Sequence, residues 1–211
     1  MEMKILKPFG PSILGVKMSD QLVNDINKYV DEIILDKKKS DELDHGKKLI
    51  GDVKQEFLLD PKFIKEVGWL DFLANCTREW IYRETKKKIK KFDVISTWVV
   101  RQFENEYNPT HWHSGHISGA GFLKVPKSMG NYTQIKNKSD KEYFGGNLNL
   151  IHGSRMFLSE SYLSIKPEVG DFYFFPHYLM HTVYPFKGTK DERRSISFNA
   201  KVDDEIFNVY T

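Results

Sequence analysis

Three of the seven histidines fall within six positions, in the run His111-Trp112-His113-Ser114-Gly115-His116. A neutral imidazole presents a nitrogen lone pair to a metal ion at physiological pH. On an extended segment, residues two apart point to the same side. His111 and His113 can therefore reach one ion while Trp112 faces away. The chemistry on offer is metal binding, although an isolated His-x-His also suits a surface loop. His116 fits either a base just outside such a site or a surface residue. His45 and His152 carry no pattern, and His177, in Pro176-His177-Tyr178, reads as a structural corner.

Ligands need a frame to hold them. Up to residue 91 the chain reads as helical. Leu22, Val23, Ile26, Tyr29, Val30, Ile33 and Ile34 recur at helical spacing, with Ser19 or Asp20 as the cap. The charged stretch 36–48 contains Gly46 and reads as a loop. A second helical stretch spans about 61–90. Phe63, Val67, Leu70, Leu73, Thr77, Trp80 and Ile81 form its apolar face, and Gly68 can divide it. The basic run 86–91 reads as a solvated helix end, where cations suit the C-terminal dipole; contact with an anionic surface is the alternative. From Phe92 the period changes to two: Val94, Ser96, Trp98 and Val100 alternate with Ile95, Thr97, Val99 and Arg101. Short β-rich runs follow at 117–125, 147–151, 157–165, 170–175, 181–184 and 195–202. The expected fold class is mainly β with N-terminal helices, an antiparallel β unit with helices packed on one side. The polar segment 127–142 is long enough for a functional loop, and its position suggests a lid.

Six pieces in order then stand out. They are Tyr107-Asn108-Pro109-Thr110-His111-Trp112-His113, Ser118-Gly119, Gly145-Gly146-Asn147-Leu148, Pro167-Glu168-Val169-Gly170-Asp171, His181-Thr182-Val183-Tyr184-Pro185 and Arg193-Arg194-Ser195-Ile196-Ser197-Phe198-Asn199. Together they resemble the Fe(II)- and 2-oxoglutarate-dependent oxygenases, most closely a bacterial and phage branch with a His-x-His motif that is similar to prolyl hydroxylases. The resemblance covers roughly the C-terminal half. It implies a double-stranded β-helix, or jelly roll, flanked by helices. Residues 1–211 would then form one domain, with a helical part over 1–91 and a β core over 92–211. It also implies Fe(II), with 2-oxoglutarate and O2 as co-substrates. Succinate and CO2 would be released as a substrate carbon is hydroxylated. The implied metal ligands are His111, His113 and His181. The wider superfamily carries Asp or Glu where His113 stands. Three neutral imidazoles would leave the ion's charge to be neutralised by the 2-oxoglutarate dianion; Zn(II) also accepts three histidines.

The distal carboxylate of 2-oxoglutarate needs a fixed cation, and a guanidinium fork can bind both its oxygens. Arg193, Ser195, Ser197 and Asn199 share one face of the last strand, and Arg194, Ile196 and Phe198 share the other. The apolar face should pack on the helices and the polar face should line the barrel. Arg193 is therefore the expected anchor, with Ser195 as its hydroxyl partner; the alternative is that both arginines are surface residues after the turn at 188–192. Tyr107 and Asn199 complete the expected co-substrate set. Asn108 suits a turn equally well. Trp98 and Gln102 can line the pocket, while Gly119 and Gly121 admit a ligand close to the backbone or mark bulges.

Composition sets the outer limits. A net charge of +3 gives little reason to invoke nucleic acid. The single cysteine, Cys76, cannot form an internal disulfide and reads as a buried helical thiol. No signal pattern or membrane-length apolar run is present, so the expected location is cytoplasmic and the expected partner is a peptide or small-molecule substrate. Two other classes stay open: a cupin-like metal barrel without oxygenase activity, and a non-enzymatic structural protein. A general metal barrel has no need of the arginine on the last strand.

Overall fold

The structure is a computed structural model that describes residues 10–46, 50–129 and 145–209. Helix α1 (Asp20–Leu35) opens at Ser19, whose Oγ accepts the Leu22 N–H at 3.2 Å, and it buries Leu22, Val23, Ile26, Val30 and Ile33. Residues 37–43 form a short helix, α2 (Lys37–Leu43), where a loop was expected. Asp36 caps it by accepting the Lys39 N–H, and only Ser40 is buried, so no apolar period announces it. The second helical stretch divides at Gly68 (φ 82°) into α3 (Pro61–Glu66) and α4 (Trp69–Thr85). Lys86 closes α4 in the left-handed region at φ 61°. The basic run therefore lies beyond the helix rather than in its last turn, and the Lys90 and Lys91 N–H groups donate to Asp203 Oδ2. Cys76 sits on α4 and is half-buried.

Ten strands follow or interleave: β1 (Leu14–Lys17), β2 (Gln55–Leu58), β3 (Phe92–Gln102), β4 (Asn108–His111), β5 (Ile117–Lys124), β6 (Leu148–Ile151), β7 (Tyr162–Ile165), β8 (Asp171–Pro176), β9 (Met180–Val183) and β10 (Arg193–Val202); a short helix, α5 (Asp204–Phe207), comes last. They form two antiparallel sheets, a larger one ordered β1-β8-β5-β10-β3-β2 and a smaller one ordered β4-β9-β6-β7. This is the expected jelly roll. The run expected at 157–165 becomes a strand only at Tyr162, because Phe157 and Leu158 sit exposed in a turn closed by Met156 and Ser159.

Strand alternation creates two cores. On the outer face of the larger sheet, Val99, Phe172, Phe174, Ile196 and Phe198 pack against Ile26, Trp69 and Leu73 of the helices. Between the sheets, Phe122, Phe175, Leu148, Leu150 and Val183 form a smaller core. Gly119 and Gly121 of β5 serve the first. A Cβ at Gly121 would lie 2.3 Å from Phe172 Cδ2, and one at Gly119 would lie 2.6 Å from Phe198 Cε1. Their missing side chains make room for aromatic rings, and the β10–β5 register shift lies elsewhere, between Arg194 and Ser195. Among the described residues no helix is long and apolar enough to cross a membrane.

Candidate metal centre

Strands β4 and β9 are neighbours in the smaller sheet, and their register sets His111 opposite His181. His113 follows where the chain leaves β4, its N–H donating to the His177 carbonyl at 3.1 Å. Trp112 between them is 64% exposed. One ring nitrogen from each histidine lies within 4.8 Å of the others, and His113 Nε2 is 3.2 Å from His181 Nε2. Two imidazole nitrogens each about 2.1 Å from one ion, at right angles, would be about 3 Å apart. His111 Nδ1 lies 2.7 Å from the Pro109 carbonyl and His181 Nδ1 lies 2.9 Å from that of Leu179. A carbonyl only accepts, so each Nδ1 donates and each Nε2 keeps its lone pair for the centre. Burial, reinforced by the neighbouring rings, lowers the pKa of His113 to about 3 and that of His181 to about 4; burial also lowers His111. All three are neutral near pH 7, the form a metal needs.

The same cavity contains a cation. Arg193 is 1% exposed. Its Nε donates to the Gly146 carbonyl at 2.9 Å, its Nη1 to Ser195 Oγ at 3.4 Å, and its guanidinium lies 5.2 Å from the Phe122 ring centroid. Among the described residues it has no carboxylate partner. Burial lowers its pKa to about 10, which still leaves it charged at neutral pH. Arg194 points the other way, into Glu192, Asp31 and Asn27. Trp98, His111, His113, His181, Arg193 and Ser195 are among the residues that line this cavity. Three neutral ligands and one buried, unneutralised guanidinium suit a metal bound together with an anion.

Other expected site residues fall outside this group. Tyr107 is 39% exposed and does not line the cavity; its backbone pairs with Asp52. Asn199 also lies off the cavity, accepting the Ser118 hydroxyl at 2.7 Å. Gln102 is buried beside Arg193 in register, but its amide donates to the Glu106 carbonyl and it does not line the cavity. His116 accepts the Val202 N–H and stacks on Phe207. Of the suggested lid at 127–142, residues 130–142 lie outside the described residues. Asn108 does line the cavity. So does Glu56, which no sequence signal marked: it sits on a four-residue edge strand whose ladder partner is β3, far away in sequence, with a single bridge to Asp44 on its other side.

Residues 96–199, from β3 to β10, match the family described as putative 2OG-Fe(II) oxygenase. That segment belongs to the 2OG-Fe(II) oxygenases. It contains the three histidines and Arg193, and the family uses Fe(II), 2-oxoglutarate and O2. The fold around the oxygenase segment is similar to that of a Pseudomonas putida prolyl-4-hydroxylase (15% identity, TM-score 0.59, covering 91% of this chain and 93% of that one). It is also similar to a Trichoplax adhaerens prolyl hydroxylase bound to a hypoxia-inducible-factor peptide (12%, 0.55, 94% and 87%). A third similar structure is the α-ketoglutarate-dependent epimerase SnoN of nogalamycin biosynthesis (12%, 0.57, 89% and 76%). At these identities the likeness establishes the fold, and the epimerase shows that the fold does not dictate one reaction. No curated protein matches this chain by sequence.

Proposed function

We propose that the protein is an Fe(II)- and 2-oxoglutarate-dependent hydroxylase, with residues 1–211 acting as one domain. His111, His113 and His181 would hold Fe(II), and Arg193 with Ser195 would hold the distal carboxylate of 2-oxoglutarate. Bound together with O2, these groups supply an oxidation in which 2-oxoglutarate becomes succinate and CO2 and a substrate C–H becomes C–OH. The chain's own part is to position and to shield. The Nδ1 hydrogen bonds to Pro109 and Leu179 fix two of the rings. Phe122 and Phe175 wall the cavity with apolar surface that keeps water from the reacting carbon. The peptide bound to the Trichoplax enzyme makes a peptide the leading substrate type, with a small molecule as the other.

The observation that carries this reading is Arg193, buried without a carboxylate partner among the described residues and facing the same cavity as the three histidines. A buried charge without its counter-ion is costly, and the distal carboxylate of 2-oxoglutarate supplies what the fold leaves out. The test is anaerobic titration of the metal-free protein with Fe(II) and 2-oxoglutarate, read as the visible charge-transfer band of the chelated keto acid. The expected result is a band in the wild type that is lost in His181→Ala and weakened in Arg193→Ala. Iron binding without any band would overturn the reading and leave a metal barrel of the cupin type.

A further inference from the structure

The cavity holds a second unmatched group, of opposite sign. Glu56 is 2% exposed, lines the cavity, and its Oε2 has no hydrogen-bond partner among the described residues. On β2 it stands opposite Val100 of β3, which stands opposite Ser195 of β10, and all three line the cavity. Strands are about 4.8 Å apart, so Glu56 and Ser195 are about 10 Å apart along the sheet. The acid thus lies at the sheet-edge side of the cavity and the arginine two strands further in. Burial, with Asp44 adding to it, pushes the Glu56 carboxyl up to about 7.

An ionised carboxylate accepts hydrogen bonds and offers none. 2-Oxoglutarate is itself an acceptor-only dianion, so it cannot satisfy the ionised Glu56 and would be repelled by it. Arg193 is its match instead. A neutral donor would satisfy the Glu56 lone pairs but leave the charge uncompensated, whereas a cation does both. Since no described residue meets Glu56 Oε2, its partner is assigned to the other ligand of the cavity, the substrate. Resting on the oxygenase reading above, we propose that Glu56 is a substrate-binding residue and that the substrate class is one carrying a protonated amine near the carbon to be oxidised. The two ends of the cavity then divide the work: Arg193 selects the co-substrate by its carboxylate, and Glu56 selects the substrate by its ammonium group.

The test uses n-butylammonium and n-butanol, two probes of similar size with and without a charge. Their affinities for the anaerobic Fe(II)- and 2-oxoglutarate-loaded protein are measured by ligand-observed NMR at about pH 8, above the Glu56 transition. The wild type should prefer the ammonium by about tenfold or more, as expected for a charge-assisted pair in a dry site. Glu56→Gln, which keeps the shape and removes the charge, should bring the two affinities within about twofold of each other, and Glu56→Asp should restore part of the preference. Equal affinities in the wild type, absence of binding by either probe, or a preference that survives in Glu56→Gln would each overturn the proposal. The visible band separates this outcome from the co-substrate reading. A band without ammonium preference removes only the role of Glu56. Ammonium preference in the metal-free protein, with no band on adding iron and 2-oxoglutarate, removes only the oxygenase reading.

Discussion

Arg193 and Arg194 are adjacent, equally buried and on the same strand, yet the fold treats them in opposite ways. Arg194 faces the helices, where Glu192 and Asp31 accept from its guanidinium at 2.7 Å each and Asn27 contributes two further acceptors. Burial alone would raise the carboxyl pKa of Glu192 and Asp31, yet both are lowered, because the hydrogen bonds from Arg194 and its neighbours outweigh desolvation. Arg193 faces the space between the sheets, with a carbonyl, a distant hydroxyl and a ring for company. One arginine is a completed structural bond; the other lacks a counter-ion among the described residues, which the proposed co-substrate would supply. Burial and charge are the same in both. What marks a binding residue is the lack of a counter-ion.

Substitution at each position should therefore fail in a different way. Arg193→Met should weaken 2-oxoglutarate binding by about a thousandfold, or about 4 kcal/mol, and weaken the band accordingly. The thermal midpoint should hold or rise, since an uncompensated buried charge has been removed; a normal charge-transfer band would break the contrast. Arg194→Met should do the reverse. Stranding Glu192 and Asp31 should lower the unfolding free energy by about 3 kcal/mol in a denaturant titration, discounted for the half-exposed Asp31, while the folded fraction still forms the band.

Glu56 sharpens the comparison from the acidic side. Its carboxyl is raised to about 7 in the folded protein against an ordinary 4.5. Between these values the folded state keeps the proton more tightly than the unfolded one, so its contribution falls as pH rises. Wild type should lose about 2 kcal/mol relative to Glu56→Gln between about pH 5 and pH 7. Parallel stability curves for the two proteins would mean that Glu56 is compensated after all. The smallest effect should come from Ser19→Ala. Loss of this cap should cost about 1 kcal/mol in α1, which carries Asn27 and Asp31, and should leave the band untouched; a weakened band would show that the two faces are coupled.

The division between the arginines was legible in the sequence because β10 alternates cleanly: Ile196 and Phe198 declare one face apolar and assign Arg194 to it. The long helices were legible for the same reason, at their own period. The convergence of His111 with His113 followed from strand geometry, while His181 came in by resemblance. Two strands of four residues each were not read as strands. β1 and β2 owe their conformation to partners distant along the chain, and four residues are too few to display a period. Glu56 was lost with β2, since an acidic residue in a charged stretch looks like any solvated one. Tyr107 was placed in the site by nearness in sequence to its residues, and Asn199 by sharing a strand face with Arg193. Tyr107 instead turns to solvent, and Asn199 sits further along β10, where Ser118 takes up its side chain.

The position of each anchor in the larger sheet also has a kinetic side. Arg193 lies on β10, which is flanked by β3 and β5, whereas Glu56 lies on β2, which has one neighbouring strand, β3, and a single bridge to Asp44 on its other side. Amide hydrogens on β2 should thus exchange at a lower opening free energy than those on β10. Fraying would then begin at the Glu56 side with the Arg193 side still closed, and under the proposed assignments that favours an order of events in which product leaves and fresh substrate enters past a loosened edge while the co-substrate subsite keeps its shape.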